Sequence, residues 1–239
     1  LTHLFTTRFG GVSTGACESL NLGINRGDKP ENVRENYRRL AKIIGCDRFV
    51  FANQRHTANI LHVTSRNVRN DVFDPADYVA DGLVTNEKNI ALVVFTADCV
   101  PVLLEGENVI AAVHAGWRGT SLGIAAKAVR EMGCRPDGIK AYIGPSIGSC
   151  CYETDKDVPE AMTALMGGEA LPFIKPSVDR PEKFYVDLKN LNRRQLELAG
   201  VKSENIEVSK ECTHCLHEKY WSHRYTKGVR GSMCGVIVM

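Results

Sequence analysis

At 239 residues, with 44% hydrophobic and 24% charged residues, the chain has the composition of a globular protein large enough to bury a real core, which excludes wholesale disorder. Thirty basic against 28 acidic residues leave a net charge of +2, which argues against a dedicated nucleic-acid or anionic-membrane binder. No apolar run approaches the roughly 20 residues that a membrane helix needs.

The predicted elements follow from apolar spacing and the residues that punctuate it. Positions 1–28 are rich in Gly, Ser, Thr and Asn and read as short strands and turns. Asp28-Lys29-Pro30-Glu31 then opens a helix. Asp28 is its acidic cap, Val33, Tyr37, Leu40, Ile43 and Ile44 form one face, and Gly45 is the stop. Two β-like runs, 49–52 and 60–64, precede a polar loop to about Ala80. The run 90–95 is almost continuously apolar, as expected of a strand buried on both faces. The runs 100–104 and 109–113 repeat that pattern around a Glu105-Gly106-Glu107-Asn108 turn. After Gly119-Thr120 the spacing turns helical, with Leu122, Ala125, Ala126, Val129 and Met132 on one face. Then come a strand at 141–143 ending at Gly144-Pro145, a helix at 155–166 and a Pro-bearing loop to about 182. A helix at 188–199 stopped by Gly200 and a closing strand at 233–239 complete the chain. Strands and helices mix without a βαβ rhythm, so the expected fold is α+β or mixed α/β, a single domain over 1–239.

Nine cysteines, an odd number without the dense framework of a small secreted domain, read as thiols of a reducing compartment. The first residues lack a signal-peptide layout, so a cytoplasmic location is expected. The chain opens on Leu1 rather than Met, and a short upstream stretch is expected.

Two segments stand out chemically: Thr96-Ala97-Asp98-Cys99, and His114-Ala115-Gly116-Trp117-Arg118-Gly119-Thr120. Both begin where a buried strand gives way to turn residues, a place where a polar group reaches a cleft from a rigid support. A Cys99–His114 pair allows two chemistries. The imidazole lowers the thiol pKa to make a nucleophile, or both groups bind a metal. The plainer reading is a buried filler thiol, the commonest state of a free Cys. Gly116 to Thr120, opening a helix beside the Arg118 fork, suits an anion, although an ordinary Gly-rich helix start reads the same way. No GxxxxGK[ST] loop and no HxE…PCxxC deaminase signature is present. His56, in Gln54-Arg55-His56-Thr57, reads alone as a hydrogen-bonded surface histidine. Arg8, Asn21, Arg224 and Arg230 flank turns, and face either a polar cleft or solvent. Cys212-Thr213-His214-Cys215 is a single CxxC. A structural zinc site needs a second pair, which His214, His217 or His223 would have to supply, so packing is the expected role. The adjacent Cys150 and Cys151 are likewise expected to be packed thiols after the Gly144-Pro145 turn.

Taken together, these segments resemble the YfiH-like family, long labelled a multicopper polyphenol oxidase or laccase domain and associated with purine nucleoside phosphorylase activity. The matching stretches are Thr7-Arg8-Phe9-Gly10-Gly11, Ser19-Leu20-Asn21-Leu22-Gly23, Gln54-Arg55-His56, Thr96-Ala97-Asp98-Cys99-Val100-Pro101 and Val113-His114-Ala115-Gly116-Trp117-Arg118-Gly119. Ile143-Gly144-Pro145, Val186-Asp187-Leu188, Asn192, Cys212-Thr213 and Ser222-His223-Arg224 continue the match in the family's order. The family usually has Gln-Val-His-Gly around its first histidine, where this chain has Arg55 and Thr57.

The resemblance implies a mixed-sheet α/β sandwich and a metal site on His56, Cys99 and His114. Two imidazoles and a thiolate suit zinc with one position open. Copper is less expected, because an oxidase with several copper centres needs many His ligands and this chain has seven His and no HxH pair. The implied reaction is phosphorolysis of adenosine, inosine and S-methyl-5′-thioadenosine, with adenosine deamination beside it. Arg118, Arg8, Asn21 and Arg224 are the expected phosphate or substrate contacts, and Asp98 the expected proton shuttle. Expected partners are purine nucleosides and phosphate, with no nucleic acid and no membrane, in a monomer or homodimer. The fold is also shared distantly with the catalytic domain of cytotoxic necrotizing toxins. The rival readings are therefore a Cys99–His114 hydrolase or amidase, such as a peptidoglycan-precursor editing enzyme, a copper-dependent polyphenol oxidase, and a non-catalytic zinc or nucleoside binder.

Overall fold

A computed structural model describes residues 1–74 and 78–239. Its strands are β1 (Thr2–Phe5), β2 (Phe49–Val50), β3 (Ile60–His62), β4 (Gly82–Thr85), β5 (Ala91–Thr96), β6 (Val100–Gly106) and β7 (Val109–Ala115). They continue with β8 (Lys140–Ile143), β9 (Glu153–Thr154), β10 (Ile174–Pro176), β11 (Phe184–Val186), β12 (Ile206–Val208) and β13 (Met233–Val238). The helices are α1 (Pro30–Ile44), α2 (Trp117–Ser121), α3 (Ile124–Glu131), α4 (Asp157–Met166), α5 (Leu188–Leu198) and α6 (His223–Thr226).

A four-stranded sheet, β1-β13-β5-β2, packs on a six-stranded sheet, β12-β8-β6-β7-β4-β3, and a small sheet, β10-β11-β9, stands apart. Side-chain alternation explains the stacking. Leu92 and Val94 of β5 meet Leu103 of β6 and Ile110 and Ala112 of β7 between the two large sheets. Ala91 and Val93 point the other way, against Val33, Tyr37 and Leu40 of α1. Val102 and Leu104 of β6 and Ala111 and Val113 of β7 pack on α3 and α5. The order of layers is therefore helix, sheet, sheet, helices. Helices cover the outer face of each sheet, so the central strands lack the polar alternation of a one-sided antiparallel sheet. That is why 90–95 reads as an unbroken apolar run.

Helix α1 begins with Pro30 at its first position and ends at Gly45, whose φ of 70° lets its N–H reach Ala41 O. The N-cap is Lys29, not Asp28. Asp28 instead accepts from Lys29 N, Ser13 Oγ and Asn21 Nδ2, which ties the N-terminal turns to the helix. Ile43 is 72% exposed and stands off the expected apolar face. Helical structure begins at Trp117, ahead of the start expected after Thr120, and breaks at Gly123, whose φ is 72°, into α2 and α3, which leaves Leu122 outside the core at 59% exposed. The Pro-bearing loop before 182 contains a 3-10 turn, Gly167–Phe173, and strand β10. Strands β4, β9, β10, β11 and β12 were not legible, being two to four residues long. Part of the polar loop expected before Ala80, residues 75–77, lies outside the described residues. Among those described, no helix is long and apolar enough to cross a membrane.

Leu103 is fully buried at the junction of the two sheets. Leu103→Ala is expected to lower unfolding free energy by about 2–5 kcal/mol. Urea denaturation followed by circular dichroism measures it.

Candidate active site

Strands β5 and β6 are consecutive in sequence yet belong to different sheets, so Ala97-Asp98-Cys99 is the crossing between them. Asp98 makes the turn with φ of 87°, uncommon for a residue with a Cβ. Its buried carboxylate accepts from Thr213 Oγ1 at 2.6 Å, Arg224 N at 2.7 Å and Ser222 Oγ at 3.1 Å, and its carbonyl accepts from Ile147 N. Cys99 follows at the start of β6. Val100 pairs with Ala115 and Pro101 with His114, so the β6–β7 ladder carries Cys99 alongside the end of β7.

His56 comes from the loop between β2 and β3, in the left-handed region at φ 60°. Asp81, just ahead of β4, holds that loop. Its carboxylate accepts from the backbone N–H of Arg55, His56 and Thr57 and from Thr57 Oγ1, at 2.7–3.2 Å. It also accepts from His114 Nδ1 at 2.9 Å. A carboxylate pulled down to about 2 only accepts, so the His114 proton sits on Nδ1 and Nε2 is turned to the site. Thr57 thus adds a hydroxyl donor to Asp81.

His56 Nε2 is 3.7 Å from Cys99 Sγ, and the two imidazole rings meet edge to face at 4.9 Å. The donor atoms of His56, Cys99 and His114 lie within 4.8 Å of one another, a group able to hold a metal ion. Gly116 leaves the necessary room: a Cβ there would stand 2.7 Å from the His56 ring and 3.2 Å from Cys99 Sγ.

Burial works against the Cys99 thiolate, but His114 and then His56 outweigh it and bring the thiol down to about 6. Burial likewise disfavours the imidazolium, yet Cys99 and Asp81 raise His114 to about 9. Without metal the pair is thus a thiolate–imidazolium between those values.

The three donors open on a pocket of about 420 Å³, lined also by Phe51, Phe73 and Phe95 and by Arg26, Arg55 and Arg230. The cations expected there are elsewhere. Arg8 stacks on Trp221 and donates to His217 O. Arg118 is exposed and lies over the Trp117 ring. Arg224 donates to Glu153 O. Asn21 is fully buried and holds the backbone of Gly23 and Ser232, two residues of the pocket wall, without lining it. Helix α2 has five residues, too short a run of aligned peptides to make an anion site of its start.

Asp81 and Arg26 escaped the sequence reading. A lone Asp inside the apolar run Val79-Ala80-Asp81-Gly82-Leu83-Val84 was the available signal for the first. A buried charge there demands partners.

The chain matches, over residues 2–239, the family model described as multi-copper polyphenol oxidoreductase laccase. It is 38% identical to the purine nucleoside phosphorylase YlmD of Geobacillus stearothermophilus, over 97% of this chain and 88% of that protein. With the purine nucleoside phosphorylase YfiH of Escherichia coli it shares 33%, over 93% and 87%. The crystal structure of the Bacillus licheniformis hypothetical protein YfiH superposes with a TM-score of 0.95 at 36% identity, covering 100% of this chain and 92% of that one. The chain belongs to the YfiH/YlmD family. The mixed-sheet sandwich expected from the resemblance is the fold observed. The family's two names pull apart, one toward copper oxidation and the other toward phosphorolysis, and the donor set must arbitrate.

In the metal-free protein, Cys99 is expected to be alkylated by iodoacetamide with a midpoint near pH 6, its thiolate fraction growing as pH rises. Asp81→Asn removes the charge that supports the imidazolium, so the midpoint moves upward. Peptide mass spectrometry of alkylation against pH reads both.

Proposed function

We propose that the protein is a zinc-dependent purine nucleoside phosphorylase, with adenosine, inosine and S-methyl-5′-thioadenosine as its substrate class and adenosine deamination as a side activity. The observation that carries this reading is one pocket that brings together His56, Cys99 and His114, three aromatic rings and the guanidiniums of Arg26 and Arg230. Phosphorolysis needs a flat apolar surface for a purine, an anion site beside the sugar, and stabilisation of a departing base.

The donor chemistry fits zinc. Two imidazoles and one thiolate within 4.8 Å make a three-ligand set of the catalytic kind, and the Asp81 carboxylate behind His114 is the usual outer support. Zinc there supplies a Lewis acid for charge developing on the base, or an activated water for deamination. A laccase reading fares worse. Copper oxidases of that type need several centres, whereas this chain has seven His in all, and among the described residues only His56 and His114 join a metal-binding group.

Arg26 and Arg230 serve as the phosphate clamp. Burial, then the neighbouring Arg26, pushes Arg230 down to about 10, which leaves it charged at neutral pH. Its Nε is buried without a partner, while Nη1 donates to Gly231 O and Ser232 Oγ. Arg26 Nε donates to the same Ser232 Oγ. A half-buried guanidinium with an unused donor at Arg230, beside the exposed guanidinium of Arg26, is the electrostatic complement of a phosphate dianion. In this reading phosphate attacks C1′ as the bond to the purine N9 breaks, and the departing nitrogen takes up the charge. Asp98 acts by position, because three donors already occupy its carboxylate, and it fixes the turn that presents Cys99.

A second reading has its own observation. Cys99, His114 and Asp81 line up as thiolate, base and orienting carboxylate, the order of a cysteine hydrolase. Such a triad makes no use of His56, so His56→Ala separates the two: phosphorolysis is lost with the zinc, whereas thiol-dependent hydrolysis persists.

The deciding experiment is adenosine turnover by zinc-loaded protein with and without phosphate, the products being separated by chromatography. Phosphate-dependent adenine that disappears in Cys99→Ala is the expected result. Inosine formed equally without phosphate would make deamination the main activity. No product in either arm would end the nucleoside reading. Arg230→Gln is expected to raise the KM for phosphate at least about tenfold, the loss of one charge-assisted pair. The KM for adenosine should stay near its starting value, as initial rates over both substrates would show.

A further inference from the structure

Four more cysteines converge away from the pocket. Cys150 and Cys151 follow β8, and Cys212 and Cys215 follow β12. Their sulfurs all lie within 4.8 Å of one another. We propose that this cluster is a closed structural site for a thiophilic divalent cation of the zinc class, separate from His56, Cys99 and His114.

The sulfur spacing suits a tetrahedral site. A zinc–thiolate bond of about 2.3 Å places the sulfurs about 3.8 Å apart. Cys151 Sγ lies 3.4 Å and Cys150 Sγ 3.7 Å from Cys215 Sγ. Four protein thiolates leave no open position, which marks a structural centre rather than a catalytic one. Cys212-Thr213-His214-Cys215 supplies the C-x2-C half, and the second pair expected from histidines comes from Cys150 and Cys151.

Without a cation, burial and the neighbouring thiols push Cys150 and Cys151 up, whereas backbone N–H groups help hold Cys212 down. Gly148 N donates to Cys212 Sγ at 3.2 Å. A Cβ on Gly148 would stand 3.2 Å from Cys150 Sγ and 3.5 Å from Cys212 Sγ, so only glycine leaves the sulfurs their space without crowding. Buried Lys189, whose ammonium donates to Ser209 O and Glu211 O, interacts electrostatically with Cys212 and Cys150 and offsets part of their charge. Cys150 and Cys215 are exposed, unlike the buried Cys17 and Cys234, so a cation reaches the cluster from solvent. A disulfide would use two sulfurs and strand the others, with Cys150 and Cys151 competing for Cys215. Binding instead uses all four, each thiol releasing its proton to solvent as the metal–sulfur bond forms.

The site also has something to hold. Its two segments are joined by the Ser146–Cys212 bridge and by Thr213 N donating to Ser146 O. From the same segments Ile147 N donates to Asp98 O and Thr213 Oγ1 to its carboxylate. A cation at the four thiols therefore braces the turn that presents Cys99.

The test is metal stoichiometry on the full chain. Zinc-loaded protein is expected to hold two equivalents by mass spectrometry, and Cys99→Ala and Cys212→Ser/Cys215→Ser one each. Cobalt(II) added to metal-free Cys99→Ala should give the intense thiolate-to-metal charge-transfer bands of a tetrahedral sulfur site, and this arm decides if the double variant fails to fold. One equivalent in the natural chain with none in Cys99→Ala, a cobalt spectrum without those bands, or a disulfide to Cys215 in the isolated protein would each overturn the proposal.

Discussion

Asp81 is the constraint on which the site depends. Its carboxylate, with no exposure to water, collects three backbone N–H groups, a hydroxyl and an imidazole N–H. Burying a charge so completely is tolerable only because every lone pair is answered. Those donors come from two parts of the chain that are far apart in sequence, the 55–57 loop and strand β7. One carboxylate therefore sets where His56 starts, which tautomer His114 adopts and how far apart the two rings stand. Removing one partner of a buried pair of this kind costs about 3–5 kcal/mol, so folding and site geometry are secured by the same contacts.

The second fixed point is the crossing at Asp98. The chain must leave the four-stranded sheet and enter the six-stranded one within three residues, which forces a left-handed backbone at a residue other than glycine. Strain of this sort persists only where surrounding contacts over-determine it. Here they do: one carbonyl and one carboxylate are held from the segments after β8, after β12 and around α6. Cys99 is presented by a rigid junction between two packed sheets, not by a mobile loop, which is what a precise ligand or nucleophile requires.

Electrostatics divides the pocket into two regions. Around Cys99 the charges alternate in short range: Asp81 negative, His114 drawn positive, Cys99 drawn negative. Arg26 and Arg230, by contrast, are neighbouring cations answered mainly by neutral oxygens such as Ser232 Oγ. The first region is internally balanced and suited to holding a metal or a thiolate. The second is unbalanced and suited to a ligand that brings its own negative charge. Copper oxidation has no use for the second region, whereas the proposed phosphorolysis would use both.

Elements whose signals are local are legible in the sequence alone. The apolar runs of β5, β6 and β7, Pro30 and Gly45 at the ends of α1, and the switch to helical spacing after Thr120 are all properties of contiguous residues. The motifs around Cys99 and His114, through family resemblance, also pointed to a joint site with His56. Tertiary structure decided the rest. Asp81 looked like one polar residue in an apolar run, because its five donors are distant in sequence. Arg26 and Arg230 line the pocket because both are held on Ser232 Oγ, whereas Arg8 and Arg118 lie over the rings of Trp221 and Trp117. The four thiols at 150, 151, 212 and 215 looked like two unrelated pairs until the parallel pairing of β8 with β12 set their turns side by side. Convergence is a property of the ladder between strands. Local composition does not encode it, because the partner in each hydrogen bond lies dozens of residues away.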